Sequence, residues 1–171
     1  IFQWHIISFY FWYCWFFFFA LISFLITFLF FGRISKYKGI PELIDSFLKL
    51  SALNHNLRLI IAGKGKIDAT EIHNEKIEIR NYFIGVSEMY ELFQITDVIV
   101  CPYRDATQSG VVMTANAFNI PTIVSNVGAL PENTYYKELV YDTENENGLE
   151  NTMLKFINSV ESYGINKSNR S

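Results

Sequence analysis

At 171 residues, with 14 Lys and Arg against 17 Asp and Glu and a formal net charge of -3, the chain is long enough to bury one domain core and has no basic footprint for nucleic acid. Its 2 cysteines, Cys14 and Cys101, lie far apart with no C-x-x-C pair, which excludes a disulfide scaffold and a zinc ribbon. The 3 histidines, His5, His55 and His73, stand alone without metal-ligand spacing.

Residues 1–24 form an apolar, aromatic-rich segment. Every Lys, Arg, Asp and Glu falls at Arg33 or later, and 16 of the first 31 residues are Phe, Trp or Tyr. Two readings fit: a membrane helix, since about 20 apolar residues cross a bilayer, or non-native sequence of the kind AT-rich codons produce. Tyr10, Trp12, Tyr13 and Trp15 would suit a membrane interface. A signal peptide is disfavoured because there is no charged leader and no small-residue cleavage site.

Residues 25–161 read as a soluble domain and 162–171 as a polar tail expected to fray. Ile26 to Phe31 is a continuous apolar run ending in Gly32, the pattern of a strand buried on both faces. Pro41 opens a helix whose Ile40, Leu43, Ile44, Phe47 and Leu48 recur at helical spacing. Leu57 to Ala62 is a second strand, closed by Gly63-Lys64-Gly65, and Ile77 to Ile79 a third. Ser87 is placed to cap a helix carrying Met89, Leu92 and Phe93. Asp97 to Cys101 is a fourth strand, stopped by Pro102, and Ser109 to Phe118 a helix of small and β-branched residues. Thr122 to Val124 is a fifth strand, and Leu149, Met153, Phe156, Ile157 and Val160 mark a last helix. Strands alternating with helices predict an α/β fold, a Rossmann-like parallel sheet covered on both faces.

Such sheets bind ligands beyond the carboxyl ends of their strands. The first of those loops holds Gly32, Arg33, Lys38 and Gly39. Two cations over a strand end suit a diphosphate, although from charge alone a solvated Arg and Lys are the commoner outcome. After the second strand, Gly63 and Gly65 allow close backbone approach, a weak signal because glycine pairs mark ordinary turns. After the fourth, Pro102 to Gly110 runs into a helix start whose N–H groups at Ser109, Gly110 and Val111 would favour an anion. Thr107 or Ser109 serving only as an N-cap is the plainer account of the same residues.

In this order the loops resemble the donor-binding half of the GT-B glycosyltransferases, the group that includes the retaining family 4, or "group 1", enzymes. G-R-x-x-x-x-K-G is met by Gly32, Arg33, Lys38 and Gly39, and I-A-G-x-G by Ile61, Ala62, Gly63 and Gly65. The apolar-Asp-apolar-apolar-x-P-Y segment is met by Asp97 to Tyr103, and x-P-x-I-x-S/T-x-V-G-x-L-P-E by Ile120 to Glu132. The resemblance covers about Phe28 to Val160.

It implies the C-terminal half of a GT-B fold and transfer of a sugar, as in hexosyltransferases, from a nucleotide donor to an acceptor hydroxyl with retained configuration. It makes Arg33 and Lys38 the catalytic cations on the donor diphosphate. Ser109, Gly110 and Val111 would hold the distal phosphate, and Phe83 and Ile84 would flank the base. The nucleotide-diphosphate sugar is then substrate rather than cofactor, and fixed cations leave no strict need for a metal. The acceptor would be a sugar or lipid-linked molecule, the setting polysaccharide biosynthesis, and the location cytoplasmic at the inner membrane face.

Two departures qualify the match. The family often carries a pair of glutamates at the positions held here by Ala106 and Thr114, one gripping the ribose and the other the sugar. A branch reading A-T-Q-S-G also lacks them, and Ala106 to Gly110 fit it, which leaves Thr114, Asp105 or Gln108 as substitutes. Residues 1–24 are also too short for the acceptor domain a GT-B enzyme needs. The chain is therefore expected to be a fragment that turns over little on its own. The alternatives are a non-catalytic nucleotide-sugar-binding module and a GT-B sugar-nucleotide epimerase, the latter needing carboxylates and histidines in the cleft. A flavodoxin-like receiver would need an acidic pocket where Arg33 and Lys38 stand.

Overall fold

The computed structural model describes residues 25–54, 56–67, 72 and 74–163. The apolar segment 1–24, His55, His73 and the tail from 164 lie outside the described residues. Six strands pair into one sheet, β1 (Ile26–Phe31), β2 (Leu57–Ala62), β3 (Ile77–Arg80), β4 (Val98–Cys101), β5 (Thr122–Ser125) and β6 (Val140–Tyr141), in the order β3-β2-β1-β4-β5-β6. Every pairing is parallel. The central strand β1 pairs with β2 from Ile26 opposite Leu57 to Phe31 opposite Ala62, and with β4 through Phe28 and Leu29.

The helices are α1 (Ile40–Leu53), α2 (Val86–Ile95), α3 (Gly110–Ala117), the single turn α4 (Leu130–Asn133) and α5 (Gly148–Asn158). Pro41 lies in the first turn of α1, where a missing N–H costs no helical bond. The buried stripe of α1 is Ile40, Leu43, Ile44, Phe47 and Leu50, while Leu48 is 37% exposed. A stripe centred on Phe47 leaves its neighbour about 100° round the helix. Helix α2 begins at Val86 with Gly85 at the N-cap, so Ser87 is inside the first turn and does not cap it. Met89 N–H bonds to Gly85 O at 2.9 Å, which sets the helix start two residues earlier than the Ser signal suggests. Strand β6 and turn α4 were not among the expected elements.

The alternation of β1 sends its side chains to the two faces of the sheet. Phe28 meets Phe47 of α1 at 6.3 Å and Phe156 of α5 at 6.0 Å, both edge-on. Phe31, pointing the other way, meets Phe93 of α2 at 5.4 Å, and Phe93 meets Phe118 at 5.3 Å. With both faces covered, β1 is apolar except at Thr27, which interrupts the expected continuous run and is itself buried. Ser162 and Tyr163 close a 3-10 turn, Val160–Tyr163, and Tyr163 stacks on Phe156 at 5.2 Å.

Asp97 lies just before β4 and is fully buried. Its carboxylate accepts the Thr27 N–H at 2.7 Å, and its own N–H bonds to Thr27 O at 3.0 Å, so it fixes where β4 enters beside β1. Asp97→Ala is expected to cost about 1–3 kcal/mol, because the Thr27 amide stays buried without that acceptor. A urea midpoint unchanged from the parent would contradict this.

Candidate functional site

Chain connections leave β1 toward β2 and β4 toward β5 in opposite directions, so the order reverses between β1 and β4 and a crevice opens at their carboxyl ends. Both exits are pinned. Gly32 N–H bonds to Ala62 O at 2.9 Å, and Ile34 N–H bonds to Lys64 O at 3.0 Å, which carries the β1–β2 pairing past the strand ends to an isolated bridge between Ile34 and Gly65. Gly63 packs so close that a Cβ there would fall on the Gly32 carbonyl. Beyond this, Lys36–Lys38 forms a 3-10 turn ended by Gly39 in the left-handed region, φ 65°. Arg104 N–H donates to Tyr37 O at 2.8 Å, so the turn is tied to the β4 exit. A Cβ on Gly39 would fall on the Pro102 carbonyl oxygen.

That contact sets Lys38 over the β4 exit. Its Nζ lies 3.3 Å from the centroid of the Tyr103 ring and 5.0 Å from that of Tyr37. Lys38 is half-buried, and burial holds its ammonium below the ordinary value of 10.5, with Tyr37 partly offsetting this. Among the described residues no carboxylate forms an ion pair with Lys38 or with the exposed Arg33. Tyr103 is buried, its carbonyl accepts the Ser125 hydroxyl at 2.6 Å, and its own hydroxyl meets Ser109 Oγ at 3.4 Å. Burial raises the Tyr103 phenol and keeps it protonated.

Helix α3 starts at this point. Ser109 occupies the N-cap position, but its side chain makes no capping bond, contrary to the plainer account of that residue. Met113 N–H makes the first helical bond, to Ser109 O at 3.3 Å. The amides of Gly110 and Val111 precede that bond and project from the helix start as donors. Thr114 spends its hydroxyl proton on Gly110 O at 2.8 Å.

Gly32, Arg33, Lys38, Ser109, Gly110 and Val111 line one cleft of about 350 Å³, with Gln108, Thr114 and Tyr103 also on its wall. An adjoining hollow of about 640 Å³ shares Gly32 and Arg33 and adds Gly63, Lys64, Gly65, Phe83 and Ile84. Phe83 is 81% exposed there, an open aromatic face. Asp105 and Thr107 are exposed and line neither hollow. Ala106 brings no carboxylate, and its carbonyl sits against Gly128. A larger hollow, about 1090 Å³, has aliphatic walls from Ile34, Ile40, Ile44 and Leu48, and of the expected residues only Arg33 and Gly65 reach it.

Tyr103 and Tyr37 are the wall residues that motif reading did not single out. The signal for Tyr103 was present in the P-Y that ends β4, but only the fold shows what lies on the ring. Cys101, at the end of β4, is buried with its thiol pushed up to about 11 by desolvation, which removes it as a nucleophile. Taken together, cations that pair with no carboxylate among the described residues, outward amides and glycine-backed hollows can hold a diphosphate with its flanking groups.

Comparison with known proteins bears on the family and the fold. Residues 26–159 match the family model described as "Glycosyl transferases group 1". An uncharacterized glycosyltransferase of Methanocaldococcus jannaschii is 33% identical over 110 residues, which span 61% of this chain and 28% of that protein. Among solved structures, the C-terminal domain of a glycosyl transferase group 1 family protein from Francisella tularensis superposes with a TM-score of 0.69 at 16% identity, covering 84% of this chain and 81% of that one. The catalytic domain of a cholesterol-alpha-glucosyltransferase from Helicobacter pylori gives 0.67 at 16% identity, covering 85% and 94%. An Anabaena protein solved in complex with UDP-glucose gives 0.65 at 16% identity, covering 85% of this chain and 42% of that one.

Proposed function

The chain belongs to the group 1 glycosyl transferases, and we propose that it is the half of such an enzyme that binds the nucleotide-sugar donor. One observation carries the reading: Arg33, Lys38 and the amide end of α3 share a single cleft at the reversal of the sheet. Arg33 and Lys38 would take the diphosphate charge, and Gly110 and Val111 N–H groups the distal phosphate. Phe83 and Ile84, in the adjoining hollow, would flank the base.

The chemistry follows from where charge develops. As the bond from sugar to diphosphate breaks, the sugar becomes oxocarbenium-like and the leaving diphosphate gains negative charge. Cations and amides already fixed in place stabilise that charge without reorganising. Transfer to an acceptor hydroxyl with retained anomeric configuration is what the family resemblance implies, with the acceptor groups supplied from outside these residues. The Anabaena protein's UDP-glucose supports a nucleotide-sugar donor here.

A thermal-shift series with UDP, GDP and ADP beside the matching nucleosides tests the reading, since a ligand of the folded state raises apparent stability. At least one diphosphate should stabilise the chain more than its nucleoside, and Arg33→Ala should cut the diphosphate shift while leaving the nucleoside shift in place. No shift with any of the three would overturn the assignment.

One observation favours a non-catalytic variant of this function. Neither Ala106 nor Thr114 brings a carboxylate to the cleft, and Thr114 has spent its proton on α3. A protein that carries this domain together with an acceptor-binding half and binds the donor tightly, yet neither hydrolyses nor transfers it, would select that variant.

A further inference from the structure

We propose that Tyr103 is the positioning residue of the diphosphate site, its ring seating the Lys38 ammonium 3.3 Å from the ring centroid while its hydroxyl meets Ser109 at the α3 start. The proposal rests on the donor-site reading and assigns what holds its cation in place. A lysine at a cleft mouth is a long, mobile side chain, and most are held, where they are held, by a carboxylate. A carboxylate here would cancel the charge the diphosphate needs. An aromatic face attracts a cation through its quadrupole and leaves the net charge intact. Among the described residues Lys38 has that face and no carboxylate ion pair.

The seat is itself rigid. Tyr103 is 1% exposed, its carbonyl is held by Ser125 of β5, and the preceding Pro102 is in backbone contact with Gly39, next to Lys38 in sequence. Tyr103 therefore touches the β1 loop and the N-cap of α3 through its side chain, and the β5 end through its backbone carbonyl. Tyr37, at 5.0 Å and 46% exposed, forms a looser second face. Cation and amides are then in register before ligand arrives, which reduces the ordering that binding would otherwise require.

The test measures the affinity of UDP, GDP and ADP, and of the matching nucleosides, for the parent chain, Tyr103→Phe, Tyr103→Leu, Lys38→Ala and the Tyr103→Leu/Lys38→Ala double variant. Tyr103→Phe keeps the ring and should stay within about twofold of the parent for the preferred diphosphate. Tyr103→Leu should lose about tenfold for the diphosphate, with the nucleoside unchanged. The double variant should bind no more weakly than Lys38→Ala, since the ring acts only through that lysine. Additive losses, or Tyr103→Leu binding the diphosphate like the parent, would overturn the proposal while leaving the donor site standing. A parent chain that binds none of the three diphosphates would remove the site and this proposal with it. Should Tyr103→Leu fail to fold, lysine methylene NMR of the parent chain decides: Lys38 should show a ring-current shift to high field, and an unshifted signal refutes the seat.

Discussion

Replacing Lys38 with methionine is expected to weaken nucleoside-diphosphate binding by roughly 10- to 100-fold, since hydrogen bonds to charged groups contribute about 1.5–3 kcal/mol. The same change is expected to make the empty protein harder to unfold. Burial holds the Lys38 ammonium below its ordinary 10.5, so the folded chain binds that proton less readily than the unfolded chain does. Stability therefore rises with pH across the window between the lowered value and 10.5, and below that window the full penalty is present. The ring under the ammonium softens the cost. Methionine keeps the stem and removes the charge, so Lys38→Met should be the more stable protein near neutral pH, with the difference closing as pH climbs toward about 11. Urea melts of the two proteins across that range check it, and a parent chain that is the more stable at neutral pH would refute it. Diphosphate affinity of the parent should fall over the same window as the cation is lost.

Gly39→Ala should be strongly disruptive for a single-atom addition near the site. Its φ of 65° lies in the left-handed region, which costs an L-residue about 1–2 kcal/mol. The added Cβ would also fall on the Pro102 carbonyl oxygen, and backbone cannot rotate away as a side chain can. Together these should cost about 3 kcal/mol or more, a fall of roughly 10 °C in Tm for a chain of this size. Diphosphate binding should fall with it, because the turn carrying Lys38 must lift off the β4 exit. Gly85→Ala is the control. Its φ is -74° and nothing lies within 4 Å of the added carbon, so its loss should stay within about 1 kcal/mol. Equal melting temperatures for the two variants would show that the Gly39 contact is not structural.

Much of this molecule could be read before folding it. The runs of β1 and β2, apolar but for Thr27 and Arg58, announce buried parallel strands because both their faces meet helices, and the glycines after them announce tight exits. Strand β6 could not be read, since Val140 and Tyr141 are too few to show a period and pair only because β5 offers an open edge. In the cleft, Arg33, Lys38 and the α3 start were legible as types placed at strand ends. Their partners were not. The Tyr103 ring reaches Lys38 only because Gly39 and Pro102 touch, a contact between segments far apart in sequence. Asp105 and Thr107 look like ligands by type and position, yet they lie exposed outside both hollows, which spacing along the chain could not reveal.

Backbone pressed against backbone at Gly39–Pro102 and Gly63–Gly32, with Tyr37 O clasped by Arg104 N–H, also fixes how many residues each of those loops can have. Inserting or deleting even one amino acid there would throw the facing carbonyls out of step. Changes in residue count are therefore expected to be tolerated better at the opposite rim of the sheet, away from these contacts. A loop-grafting campaign on this scaffold has its freedom at that rim, and at the cleft should vary side chains while holding the residue count constant.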